Sequence, residues 1–243
     1  MSPRYQVVDL KKAAVGSNTF ISYGPSKSGK SWFWSTAPRP LFISQKTEHG
    51  WTTTARMNPE LFYDPKFAPE IWSVGDHGAM REAIKDAHDR WKRDPASIRT
   101  LVIDSLTFYA ESYFSQLETE AWAKKGSRPE GKVLYGDLGT HLRYLMNDIH
   151  EKFDGGPNIA WLGLDKINDN GRGGLLLAGQ TADKAPALCD YWLYHFQNPS
   201  GSYEIHSKAF GCYPAGGRMG SRSLPNPLPE PVNFKTLEAA LRA

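Results

Sequence analysis

The chain has 243 residues, of which 40% are hydrophobic and 23% charged, with a formal net charge of +3. That length holds one large α/β domain with a substantial core, and so small a net charge points to a nucleic-acid partner only if the cations are locally concentrated. No apolar run approaches a membrane span, the N-terminus "MSPRYQVVDLKK" lacks a signal-peptide core, and two cysteines and seven histidines show neither a disulfide framework nor a metal-ligand spacing; a cytoplasmic protein with no membrane partner is expected, and a zinc hydrolase is argued against.

Residues 1–16 carry no strong element signal and are read as an N-terminal segment available for a subunit contact. "NTFISY" (18–23) is a short strand that leads directly into Gly24-Pro25-Ser26-Lys27-Ser28-Gly29-Lys30-Ser31, a match to G-x-x-x-x-G-K-[ST]. This is the pattern of a strand-to-helix turn that wraps phosphates with backbone N–H groups. Gly24 and Gly29 adopt backbone conformations that a Cβ would strain. Lys30, in the first helical turn, holds β- and γ-phosphates, and Ser31 offers its hydroxyl to Mg²⁺. "KSWFWSTA" (30–37) opens the helix that follows, Trp32 lies in its first turn beside the loop, and Pro38 stops it. ATP and Mg²⁺ are the expected ligands, with residues 24–32 forming the nucleotide cradle.

"RPLFIS" (39–44) is a second strand and "EIWSV" (70–74) a weaker third, with an irregular proline-rich stretch between them. "DHGAMREAIKDAHDRWKRD" is helical, with Met80, Ile84, Ala87 and Trp91 on one stripe. "RTLVIDS" (99–105) is a buried strand ending in Asp104, which a doubly wound sheet sets beside the phosphate loop. Two roles fit Asp104: a carboxylate facing Mg²⁺ through water, or the N-cap of the next helix. Hydrolysis also needs a group that orients or deprotonates water, and Glu48, just beyond the second strand, is the candidate, with Glu111 as substitute.

Residues 106–122 form an amphipathic helix whose stripe includes Leu106, Tyr109, Tyr113, Phe114, Leu117, Ala121 and Trp122. "AKKGSRPEGKVLYG" (123–136) has no periodicity and reads as a basic loop. A second amphipathic helix carries Leu138, Leu142, Leu145, Met146, Ile149 and Phe153. "NIAWLGL" (158–164) is a buried strand, and 165–184 a second glycine-rich loop. "CDYWLYHFQ" and "SYEIHSKAF", separated by "NPSG", form a terminal antiparallel hairpin. The tail from 211 is read as extended, closed by a short helix in "NFKTLEAALRA". The fold class expected is α/β: a mostly parallel sheet covered by helices on both faces, with an antiparallel edge hairpin.

The order "GPSKSGKS", strand plus Glu48-His49-Gly50, "TLVIDS", basic loop, "YGDLGTHLRYLM", "NIAWLGL" and glycine-rich loop resembles the RecA/RadA recombinase core. It is most similar to the compact RecA-like ATPases of phages, the fourth Sak group of single-strand annealing proteins. The resemblance covers about residues 17–210 and leaves 211–243 as a C-terminal tail. It implies a RecA-like P-loop NTPase that hydrolyses Mg-ATP with stimulation by DNA and self-assembles into a filament or ring on single-stranded DNA. A single-strand binding protein is a further partner it allows. By position, Asp104 would be the Walker B carboxylate and Glu48 the water activator, and residues 124–135 and 166–184 fall where the family has its two DNA loops. Lys166 or Lys184 would reach a neighbour's γ-phosphate. This chain departs from the pattern by extra residues before Glu48 and by Asp165-Lys166 where a polar Gln or His is expected.

The residues themselves give independent support for DNA. Lys124, Lys125, Arg128 and Lys132 concentrate positive charge beside Trp122 and Tyr135, which suits backbone contact plus base stacking, and Arg172 and Lys184 add charge to the second loop. The alternative for the first cluster is a solvated connector with a core Trp122. Two other functions fit the phosphate loop: a small-molecule kinase, and a helicase-loader or packaging accessory ATPase.

Overall fold

The computed structural model describes residues 17–48, 50, 52, 69–126, 130–177, 181–218 and 224–242. Among them the first strand is β1 (Thr19–Gly24), followed by α1 (Lys30–Ser35), β2 (Pro40–Gln45), β3 (Glu70–Val74), α2 (His77–Arg93) and β4 (Thr100–Asp104). Then come α3 (Leu106–Lys125), α4 (Gly131–Lys152), β5 (Asn158–Ile167), β6 (Gly173–Leu175), α5 (Thr181–Lys184) and a 3₁₀ turn (Ala185–Leu188). β7 (Tyr191–Gln197), β8 (Tyr203–His206), β9 (Gly216–Gly217) and α6 (Phe234–Arg242) complete the described chain.

The strands join one sheet in the order β3-β2-β4-β5-β1-β7-β8, with β6 on β5 and β9 on β7. The six from β3 to β7 are parallel, and β6, β8 and β9 pair antiparallel. Period-two alternation divides each strand between two cores. Ile21, Tyr23, Ile43, Ile103 and Trp161 face a layer built by α2, α3 and α4, where Met80, Ile84, Tyr109, Leu142, Met146 and Phe153 are buried. Phe20, Phe42, Val102, Ala160 and Leu162 face the opposite layer, where Phe33 and Trp34 of α1 meet Phe234 and Leu237 of α6. Because both faces are covered, the central strands read as near-continuous apolar runs. The expected α/β architecture with its antiparallel edge is what forms.

Several local readings change. Residues 123–125 and 131–136 are helical and not loop: α3 runs on to Lys125, where Gly126 caps it at φ 63° with its N–H on the Trp122 carbonyl, and α4 begins at Gly131. The buried stripe of α4 starts at Leu134, one turn before the periodic run, and its first turn is too polar to reveal the helix from pattern alone. Residues 165–177 and 181–184 are also structured. β5 continues through Ile167 and folds back onto β6, Leu175 is buried, and the ring of Tyr213 covers Gly173 so closely that a Cβ there would lie 2.3 Å from it. The tail is docked: β9 adds to β7, Leu224, Leu228 and Val232 are buried, and α6 packs on α1.

Phe234 lies 5.5 Å from the Trp34 ring and 6.4 Å from that of Phe33, centroid to centroid, and is 2% exposed. Truncating it opens a cavity against the helix that follows the phosphate loop. Phe234→Ala should therefore destabilise the chain by about 3–5 kcal/mol, read as a lower urea midpoint at unchanged slope.

Candidate nucleotide site

The parallel strands deliver their C-terminal ends to one rim. Register sets Gly24 beside Leu164 and Ser44 beside Asp104, so the phosphate loop, the Glu48 turn, Asp104 and Asp165 all emerge there. β5 lies between β1 and β4, so Asp104 is two strands from the loop and not adjacent to it. α1 closes the gap: the Ser31 hydroxyl donates to Asp104 Oδ2 at 2.8 Å.

Asp104 does not cap α3. Ser105 occupies the N-cap and its side chain accepts from the Phe108 N–H at 3.4 Å. The carboxyl of Asp104 is buried, which pushes its pKa up to about 7; the negative charge of Glu48 adds to the rise, while the Ser31 hydrogen bond and the Lys30 ammonium oppose it. Lys30 is buried too. Its amine donates to the carbonyls of Gly24 (2.9 Å) and Pro25 (2.7 Å) and to Ser28 Oγ (3.2 Å), inside the bowl of the loop. Burial lowers its pKa to about 8, against the pull of Asp104, Asp165 and Glu48.

The loop backbone has the expected character. Gly24 (φ +153°) and Gly29 (φ +82°) take conformations foreign to L side chains, and both are crowded. A Cβ on Gly24 would lie 2.1 Å from the His195 carbonyl, and one on Gly29 would lie 2.9 Å from the Tyr203 ring. Lys27 has φ 65° at the exposed tip with Ser26, Pro25 is half-buried and Ser28 buried. Below the loop, Ser22 Oγ and His195 Nε2 share a hydrogen bond of 2.5 Å, and burial holds the His195 pKa well below the usual imidazole range, so the ring beneath Lys30 is neutral.

Glu48 follows β2 in a turn closed by its N–H on the Gln45 carbonyl (2.8 Å). Its side chain is half-buried, and its charge acts on both Asp104 and Lys30. Glu111 is exposed on α3. Lys166 is in β5, and its amine donates to the Leu177 carbonyl of the same chain. With Arg172, Asn168 and Trp192 it lines a pocket beside the β5–β6 hairpin.

Of the predicted DNA-contacting residues, Lys124 is exposed in the last turn of α3, and Lys132 and Tyr135 are exposed in the first turns of α4. Arg128 lies outside the described residues, and Lys125 is described by its helical backbone alone. Trp122 is 58% exposed, so it is not a core residue and the buried stripe of α3 ends before it. Tyr135 is 48% exposed, with its ring stacked on Phe114 at 4.7 Å.

Sequence reasoning gave no site role to Gly50, His195 or Asp165. A Cβ on Gly50 would lie 2.6 Å from Ser31 Oγ and 3.6 Å from Asp104 Oδ2, so the Gly50 backbone sits directly against that pair. Asp165 accepts a hydrogen bond from Tyr194 (3.3 Å) and ranks ahead of Glu48 among the charges acting on Lys30. The position of Asp165 after an apolar strand was the available signal; His195, on a strand far along the chain, had none.

A hydroxyl and a carboxylate supply few protein oxygens, which suits Mg²⁺, an ion that keeps most of its waters and takes one or two protein ligands plus phosphate oxygens. Among the described residues no group of three or more His, Cys, Asp or Glu is poised for a metal. Ser31 and Asp104 would hold the ion, which when bound neutralises charge on the phosphates; Lys30 and the loop amides would hold the phosphates themselves.

This loop, on this sheet, with a carboxylate paired to its serine, defines a P-loop nucleoside triphosphatase. The chain belongs to the AAA domain family (AAA_24), whose model matches residues 17–218. No curated protein matches it. Among solved structures, a crystal structure of the RadB recombinase is similar over 79% of this chain and 80% of that one, at 13% identity and a TM-score of 0.47.

The pKa of Asp104 sets a pH dependence. An unfolded aspartate titrates near 4 and the folded one at about 7. Between those values the folded chain holds a proton that the unfolded chain has released, so stability falls as pH rises through the window and the loss levels off above it. Asp104→Asn removes this term. The variant should gain melting temperature over the parent at pH 8 and lose that advantage at pH 4, and a difference independent of pH would contradict the assignment.

Proposed function

We propose that the chain is an ATP-dependent, single-stranded-DNA-binding recombinase or annealing protein, of the RecA-like phage type, that works as an assembly. The observation that carries the ATPase half is the 2.8 Å pairing of Ser31 with a buried Asp104 at the mouth of the phosphate loop. Lys30 tracks charge on the transferring phosphoryl group, Ser31 and Asp104 hold Mg²⁺, and Glu48 orients or deprotonates the attacking water. The electrostatic influence of Glu48 on both Asp104 and Lys30 supports that role.

The DNA half rests on the α3–α4 tip. Lys124 and Lys132 flank the connection at 126–130, and Trp122, Val133 and Tyr135 expose apolar surface beside them (58%, 54% and 48%). Cations next to accessible rings suit phosphate contact with base stacking. Lys125, Arg128 and Arg172 are the other contacts proposed. Assembly would complete the ATP site from a neighbouring subunit through Lys166 or Lys184; Lys166 would have to leave the Leu177 carbonyl to do so.

ATP hydrolysis measured with and without single-stranded DNA, alongside sizing of the complex, tests the reading. DNA should raise the rate and assembly should be nucleotide-dependent; phosphate transfer to a metabolite with no DNA effect would replace it with a kinase. Lys30→Ala should abolish turnover, and Glu48→Gln should bind ATP but hydrolyse it slowly, while an unchanged rate in Glu48→Gln would move the base elsewhere. Changing Lys124, Lys125, Arg128 and Lys132 together to alanine should flatten the log-log salt dependence of DNA affinity by about 0.7 per lost contact. Trp122→Ala should instead lose about 1–3 kcal/mol of affinity at unchanged slope. Wild-type affinity and slope in the quadruple variant would make the tip a plain connector.

A further inference from the structure

We infer that Trp32 and Tyr203 form a nucleobase platform for the phosphate-loop site and that this pair sets its preference for a purine over a pyrimidine base. The inference rests on the nucleotide reading above and extends it from the phosphates to the base.

Polarity along the sheet carries the argument. Asp104 and Ser31 mark the metal end of the triphosphate, and Asp104 lies on the β4 side of the loop. A triphosphate whose γ end is there directs its nucleoside toward the other flank of β1, where β7 and β8 follow. Tyr203 opens β8 on that flank, and Trp32 is in the first turn of α1.

The two rings are stacked, with centroids 6.1 Å apart and planes 25° from parallel, and both residues are half-exposed. Tyr203 also lies flat against the loop: three of its ring atoms fall 2.9–3.2 Å from where a Cβ on Gly29 would be. The absence of a side chain at Gly29 therefore does two things. It permits φ +82°, and it lets an aromatic face approach the phosphate cradle to within the reach of a base attached to it. Trp34, the next tryptophan of α1, is fully buried against Phe20 and Phe234, so Trp32 is the ring that α1 turns outward. Stacking increases with ring area, which favours a purine over a pyrimidine.

The test is calorimetric titration of ADP, inorganic tripolyphosphate, ATP and CTP into the full chain and its Tyr203 variants. Tyr203→Ala should weaken ADP about tenfold, leave tripolyphosphate within twofold of the parent, and reduce the preference for ATP over CTP; Tyr203→Phe should keep the parent values. Tyr203→Leu retains apolar cover over Gly29 and serves if the alanine variant does not fold. Unchanged ADP affinity in Tyr203→Ala, or equal losses for ADP and tripolyphosphate, would overturn the platform while leaving the phosphate site standing. A parent chain that binds neither ADP nor tripolyphosphate would overturn the nucleotide reading itself.

Discussion

Burying the carboxyl group of Asp104 costs free energy that a neutral side chain would not, and the surrounding structure is arranged around offsetting that cost. The Ser31 hydroxyl and the Lys30 ammonium both favour the charged form, yet burial and the Glu48 carboxylate outweigh them, so the group titrates near neutrality at about 7. Titration shifted this far by burial and a neighbouring charge is characteristic of functional sites. To hold Ser31 there, α1 must be seated firmly. That seat is the aromatic layer of Phe20, Phe33, Trp34 and Phe234, whose rings meet at tilted or edge-on angles.

The same constraint explains why the sheet is buried on both faces. Parallel strands bring all their C-terminal ends to one rim only when crossover helices cover the sheet, and the rim is where Lys30, Glu48, Asp104 and Asp165 act on one another. The β7–β8 hairpin extends this rim, and through the His195 carbonyl it also buttresses Gly24 from beneath.

Much of this was legible in the sequence because it is local. Gly24 to Ser31 is a contiguous motif, Asp104 ends an uninterrupted apolar strand, and the stripes of α2 and α4 recur at helical spacing. The misreadings come from places where polarity hid structure. Lys124, Lys125 and Lys132 look like a solvated loop because the ends of α3 and α4 have little to bury, and the start of β6 looks like a loop because the cover over Gly173 is Tyr213, supplied from about forty residues away. Trp122 was ambiguous for the opposite reason: it continues a periodic apolar stripe, yet its ring is 58% exposed. Tyr203, His195 and Gly50 act through long-range proximity, which no local pattern encodes.

The docking of α6 also bears on when the site takes shape during synthesis. The Phe234 N–H donates to Thr36 Oγ1 at 2.9 Å across 198 residues, joining the last described helix to the end of α1. At translation speeds of about 5–20 residues per second, the phosphate-loop helix leaves the ribosome roughly 10–40 seconds before its cover is made. Phe33 and Trp34 spend that interval without the ring of Phe234, and β1 spends most of it without β5 and β7. The nascent chain thus carries an uncovered aromatic surface beside an unfinished strand edge, the combination that makes incompletely folded chains prone to aggregate.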